Sequence, residues 1–291
     1  MCIVNTRASC AESVRPFQRD TESHRLAGVS GTVIHRQGWA ERTADLHRRL
    51  LPQKEHLCGA FWGAIVLRDA GFDNVDQDLV ALEAGARLPP GTPEPPLPGV
   101  EPVTGYRFAL PVTDERRAGT ASAPLARAIE WLSRGSLAVI PVCRPFTTEK
   151  VAELVGSFES LALIANIDTG VLWGAGASDK QLGLHLDFGE DDGPPPDWHV
   201  GHYVNPVSVE QGAAGALVTI RDTYPVLGRA GVHRQPAERL AAALRRSDGR
   251  QGGVLCVCSA ERRASIEADL TGRGFDICHW DNGTPDPGEE G

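Results

Sequence analysis

The sequence predicts an α+β fold, and three observations carry the prediction. Helix-like segments come first, between residues 41 and 84. Short apolar runs follow at 137–143, 161–167 and 253–258, of strand length and rich in Val, Leu and Ile. A Pro- and Gly-rich stretch, 85–104, separates the two regimes and reads as a loop crossing between lobes. The expected organisation is an N-terminal arm over 1–40, a catalytic-type domain over 41–280 and a flexible tail over 281–291. Within the domain, a helical lobe spans about 41–100 and a mainly β lobe about 101–280.

Each element has its own signal. Glu41 to Leu51 is amphipathic, and Pro52 ends it. Cys58 to Asp69 is mostly apolar and reads as a buried helix, with Gly71 placed to stop it. Asp76 to Ala84 carries acidic residues in its first turn, where the helix dipole favours them. Pro124 opens a helix to Ser133, and Thr147 or Thr148 caps one that runs to Phe158. Strands are expected at 137–143 and 161–167, the latter prolonged by 171–173 after a turn, then at 199–209 and 216–222. Helix 236–246, strand 253–258, helix 260–270 and strand 275–279 complete the chain. Trp62, Trp131 and Trp173 fall on these elements and are read as core.

The bulk properties exclude some functions. The net charge is -9, and no basic run or stripe recommends a nucleic-acid partner. No apolar run is long enough to span a membrane, and Met1-Cys2-Ile3-Val4-Asn5 lacks the order of a secretory signal, so the expected compartment is the cytoplasm. The seven cysteines show no framework spacing, and most are expected as free thiols. Cys256 and Cys258, two apart on a strand, face one side and read as core rather than as zinc ligands. No metal and no cofactor is expected.

Cys58 differs from the other cysteines in position. It opens a helix where a polar loop, Pro52-Gln53-Lys54-Glu55-His56, gives way to apolar residues. Unpaired N–H groups in a first helical turn stabilise a thiolate. Gly59 would let a substrate carbonyl approach the backbone, whose N–H groups could then receive an oxyanion. Gln53 could place an amide donor beside the thiol. For a base the chain offers His199 and His202, in Trp198-His-Val-Gly-His-Tyr-Val-Asn. Three residues apart on a strand, the two point to opposite faces, so one of them serves. His202 and Asp222 become cross-strand neighbours if the turn between their strands centres on residue 212.

These segments resemble the papain-like cysteine peptidases of the bacteriocin-leader-processing type. The resemblance rests on Gln53-x4-Cys58-Gly59 before an apolar helix, on Asp76-Gln77-Asp78-Leu79-Val80, on His202-Tyr203-Val204 and on Asp222-Thr223-Tyr224-Pro225. It spans roughly 50–245 and implies a papain-like fold, with the nucleophile helix packed on an antiparallel sheet. It also implies the roles of Cys58 as nucleophile, His202 as base, Asp222 as orienting carboxylate and Gln53 as oxyanion donor. Gln53 stands one residue closer to the cysteine than is usual in that family, Pro206 interrupts the strand after His202, and a Walker-type loop is absent.

The expected function is a cysteine hydrolase that cleaves a peptide or amide bond through a thioester acyl-enzyme, on a peptide or an amide-containing small molecule. An acyltransferase that joins or cyclises by giving the acyl group to an amine uses the same intermediate, as do deamidation and transglutamination. A non-catalytic binding module on the same fold is the reading from another class. His185-Leu-Asp187 and Glu190-Asp191-Asp192 read as a solvated acidic loop that could overhang the cleft and favour a cationic substrate. Trp198, beside the histidines, is a candidate lining residue.

Overall fold

Alternation along three strands sets the architecture. In strand 137–144, Ala138, Ile140 and Val142 join one buried cluster while Val139 joins another. Leu163, Ala165 and Ile167 divide in the same way from Ala162 and Ile164, as do Val254, Cys256 and Cys258 from Leu255 and Val257. A period of two with both faces apolar requires a sheet covered on both sides.

The computed structural model describes residues 32–34, 38–91, 97, 99–158 and 160–287. In chain order the elements are β1 (Thr32–Ile34), α1 (Trp39–Arg42), α2 (Ala44–Leu50), α3 (Cys58–Asp69), α4 (Gln77–Glu83), α5 (Ser122–Leu132), β2 (Leu137–Arg144), α6 (Thr148–Ser157), β3 (Ala162–Asp168), α7 (Asp179–Phe188), β4 (Gly201–Gln211), β5 (Ala216–Arg221), β6 (Val232–Pro236), α8 (Ala237–Arg245), β7 (Gly253–Ser259), α9 (Arg263–Gly272) and β8 (Asp276–Ile277). The strands form one antiparallel sheet in the order β6-β5-β4-β3-β7-β2-β8, with β1 also paired to β4. α3, α4 and α5 contribute to one apolar cluster and α6, α8 and α9 to the other. The fold is α+β with a helical layer on each face of the sheet.

This arrangement does not follow the expected division into lobes. α5 comes from the predicted β lobe, yet its Leu125 and Ile129 pack in the same cluster as α3 and α4. Local pattern identified the helices, but it does not say which face of a sheet a helix will cover.

Other differences have local causes. The expected helix 41–51 is two short helices, α1 and α2, parted at Thr43, whose hydroxyl donates to the Trp39 carbonyl at 2.8 Å. α7 occupies a segment read as loop; Leu182 and Leu186 are its buried positions, and Ser178 with Gln181 forms a capping box. β6 is too polar in sequence to suggest a strand, but its alternate residues His233 and Gln235 are buried. Trp131 is not core: it is 73 % exposed on the outer side of α5. Cys143 and Cys278 form a disulfide, whereas Cys58, Cys256 and Cys258 are not disulfide-bonded. Part of the expected tail is packed, since Asn282 and Thr284 are buried. Most of the expected arm lies outside the described residues, but its end belongs to the core through Trp39 and Ala40.

Pro206 sits where the β4–β5 register shifts, between Pro206 and Ser208. A bulge accommodates a residue that cannot donate to the ladder. The hairpin closes with Gln211 opposite Ala216, so its centre lies beyond residue 212. His202 is therefore not opposite Asp222 in the ladder; it pairs with Ile167 of β3. Asp222 follows directly on the end of β5.

Candidate active site

α3 begins at Cys58 with no side-chain cap; Leu57 occupies the N-cap position. The thiol is half-buried at a helix end that keeps its first-turn N–H groups available. Gly59 is fully enclosed, and a Cβ there would lie 3.0 Å from Leu125 Cδ2 and 3.1 Å from Tyr203 Cδ2. Gly59 thus permits α3 to approach α5 and β4. Trp62, one turn on, donates its indole N–H to the Tyr203 carbonyl at 3.0 Å. α3 is thus fastened to the strand that carries His202.

His202 and Asp222 are both buried, with His202 Nε2 3.0 Å from Asp222 Oδ1. This leaves Nδ1 to serve a thiol, and Cys58 is near enough to the imidazole to help raise its pKa. Burial disfavours the imidazolium, but the charge and hydrogen bond of Asp222, then Cys58, more than offset it, and the His202 pKa is raised to about 10. Burial opposes ionisation of Asp222 as well, yet His202 and His233 hold its carboxyl well below the usual range. Oδ1 also accepts the backbone N–H groups of Thr223 at 2.6 Å and Tyr224 at 3.3 Å. Buried His47, lowered to about 4 chiefly by desolvation, is neutral and donates to the Asp222 carbonyl at 2.7 Å. Asp222 is fixed at both its side chain and its backbone.

A second polar group adjoins the first. Gln53 Nε2 donates to the Tyr224 hydroxyl at 3.0 Å, and that hydroxyl donates to Glu55 Oε2 at 2.9 Å. The Tyr224 ring lies over His202 at 6.1 Å and 24°. Burial raises the Glu55 pKa. Gln53 Oε1 is buried without a hydrogen-bond partner. Trp198 meets the His202 ring edge-on at 4.9 Å and Tyr224 at 5.3 Å.

Cys58 opens onto a cleft of about 350 Å³ whose wall includes His56, Asn166, His199, Arg246 and Asn282. Trp198 is not among the lining residues; it covers the imidazole instead. His199 precedes β4 and is 70 % exposed, with Nε2 3.1 Å from Oδ1 of buried Asp168. The contact with Cys58 belongs to His202. The acidic loop does not line the cleft: Asp191 accepts from Trp173 Nε1 at 2.9 Å and is paired with Arg239. Among the described residues no group of three or more His, Cys, Asp and Glu side chains could hold a metal ion.

Residues 38–281 match the model of a family described as "Family of unknown function (DUF6885)". The chain belongs to this family. No curated protein matches it.

In this DUF6885 chain the structure brings Cys58, His202, Asp222 and Gln53 together from α3, β4, the end of β5 and the loop before α3. Glu55, Tyr224, His47 and His233 were not legible as site residues. Tyr224 and Glu55 do lie within two residues of Asp222 and Gln53, and such proximity was the available signal. Arg246, just past the end of α8, is turned inward and lines the cleft. Among the described residues no helix is long and apolar enough to cross a membrane.

Proposed function

We propose that this protein is a cysteine-nucleophile enzyme acting on a peptide or amide bond, on a scaffold resembling the papain-like peptidases. The observation that carries the reading is a half-buried thiol at an uncapped helix start, in contact with a buried imidazole that a buried carboxylate holds. An imidazole raised to about 10 is cationic at neutral pH, and the proton it carries is the one a thiol there can give up.

The thiolate of Cys58 attacks the carbonyl carbon, and the electron pair of the C=O bond moves to oxygen. First-turn N–H groups of α3 are the donors nearest the oxyanion, and the second N–H of the Gln53 amide is a candidate for completing the set. The tetrahedral species collapses by breaking the C–N bond while the His202 imidazolium protonates the departing amine. A thioester on Cys58 and a free amine result. His202, now neutral, takes a proton from water as it attacks the thioester, and the acid and the thiolate–imidazolium pair are released. Asp222 keeps the ring in one tautomer throughout.

Transfer of the acyl group to an amine is the second reading, and His199 favours it. Its exposed ring, held by Asp168, faces the same cleft and is suited to take a proton from an incoming nucleophile.

Alkylation tests the proposal. Cys58 is expected to react with iodoacetamide at pH 7 about ten-fold or more faster than glutathione, read by peptide mass spectrometry, because His202 and the first-turn N–H groups of α3 assist the attacking sulfur. His202→Ala should remove the advantage. Equal rates for Cys58 and glutathione would refute the reading. Mass spectrometry of Cys58 after incubation with candidate amides then seeks the acyl adduct, which Cys58→Ala must lack.

A further inference from the structure

The chain is acidic overall, with a net charge of -9, but the wall of the Cys58 cleft is not. Three guanidinium groups, Arg116, Arg246 and Arg250, line it, together with the imidazoles of His56 and His199. Two carboxylates offset them. Glu115 is in the wall beside Arg116 and bears on His56. Asp248 is shared: it accepts from Arg246 Nε at 3.1 Å and Nη2 at 2.6 Å, and lies 3.9 Å from Arg250 Nε. Arg250 reaches on to the Arg116 carbonyl at 2.6 Å, which carries its charge toward the third guanidinium. A third carboxylate, Asp168, is taken up by His199, so the charged groups that line the cleft itself are three guanidinium groups and Glu115.

The seat of Arg246 is built. Its side chain is only 1 % exposed, although guanidinium groups are costly to bury. Arg246 has φ of 53°, a left-handed conformation that residues with a side chain rarely adopt. A Cβ at Gly201 would stand 2.9 Å from Arg246 Nη1, so the guanidinium lies close against the backbone at the start of β4. Among the described residues non-glycine positive φ occurs at His56, Arg134, Ala230 and Arg246, and two of these four line the cleft. Strain gathered at one wall, turning a cation inward beside a nucleophile, is more than helix-end electrostatics requires.

We propose that the cleft binds a substrate carrying a carboxylate close to the scissile amide, received by Arg116 and Arg250. The inference rests on the thiol-enzyme reading and names the substrate class for it: an acidic peptide segment or an amide with a neighbouring carboxyl group. Guanidinium forks match a carboxylate in geometry.

Two alkylating agents of similar size and different charge test it without knowledge of the substrate. Iodoacetate and iodoacetamide are compared on Cys58 at pH 7 and low salt, by peptide mass spectrometry. The His202 imidazolium favours the anionic reagent in any case, so the informative quantity is the iodoacetate-to-iodoacetamide ratio in variants. The double variant Arg116→Gln/Arg250→Gln should lower that ratio about five-fold, and added salt should shrink the difference. Arg239→Gln, which removes a cation outside the cleft, should leave the ratio at its starting value. An unchanged ratio in the double variant, with Cys58 still reactive, overturns the carboxylate proposal and leaves the thiol-enzyme reading standing. Failure of Cys58 to react faster than glutathione with either reagent overturns both.

Discussion

His202 and Asp222 are opposite charges with no water to share, and their titrations set where the pair stabilises the fold. A histidine raised to about 10 contributes stability that is fully present below its unfolded value of about 6.5 and is lost as pH rises toward 10. A depressed carboxyl contributes stability present above about 4, lost as pH falls through its lower folded value. Asp222→Asn keeps the shape and removes the charge. Its stability deficit should be widest between about pH 4 and 6.5, at about 3–5 kcal/mol, and should narrow from pH 7 to 10. Urea denaturation across that range measures it, and a deficit independent of pH would show that the imidazole is not held as a cation. At this scale the sequence was informative wherever a role is tied to local context: Cys58 before an apolar helix, His202 before a strand, Asp222 before a turn. It was silent where a role depends on what crosses the site. Tyr224 between Gln53 and Glu55 is a contact between chain segments some 170 residues apart, and no local pattern announces it.

Elements with a strong period were legible. α3, α5, α6, α8, β2, β3 and β7 lie close to their expected bounds, since apolar periodicity and caps such as Thr147 are properties of a short window. α7 and β6 were not, because both are mostly polar and acquire their state from the neighbours they pack against. The junction of α3 with β4 is the element contact that matters most for chemistry, and Trp62 is its fastening. The indole N–H meets the Tyr203 carbonyl and the ring stacks on His47 at 5.3 Å. Trp62→Phe leaves that carbonyl without its indole donor and should cost about 1–3 kcal/mol. It should also slow alkylation of Cys58, because the thiol and its base would no longer be held together. A loss of stability with an unaltered alkylation rate would show that the two elements keep their alignment without this bond.

At the scale of the whole molecule, a covalent tie among the described residues joins distant parts of the chain. The Cys143–Cys278 disulfide spans 135 residues and fixes β2 beside β8 at one edge of the sheet. Closing so long a loop restricts the unfolded chain, and the variant Cys143→Ser/Cys278→Ser should be about 2–5 kcal/mol less stable in urea. No loss would mean that strand pairing alone holds that edge. The two-layer covering of the sheet was not legible in sequence, because helices of equal amphipathicity can lie on either face.

The C-terminal segment gives the cleft its last wall: the Asn282 amide donates to the Thr120 carbonyl at 2.9 Å, and the Thr284 hydroxyl reaches the Ala118 carbonyl. This has a consequence for the time course of synthesis. Cys58 leaves the ribosome early, but its base lies on a strand made much later, and the cleft is closed only after residue 284 has emerged and folded back. Throughout that interval the thiol has neither an imidazole partner nor a walled site. Under the proposed mechanism, the reactivity of the thiol therefore waits on completion of the sheet.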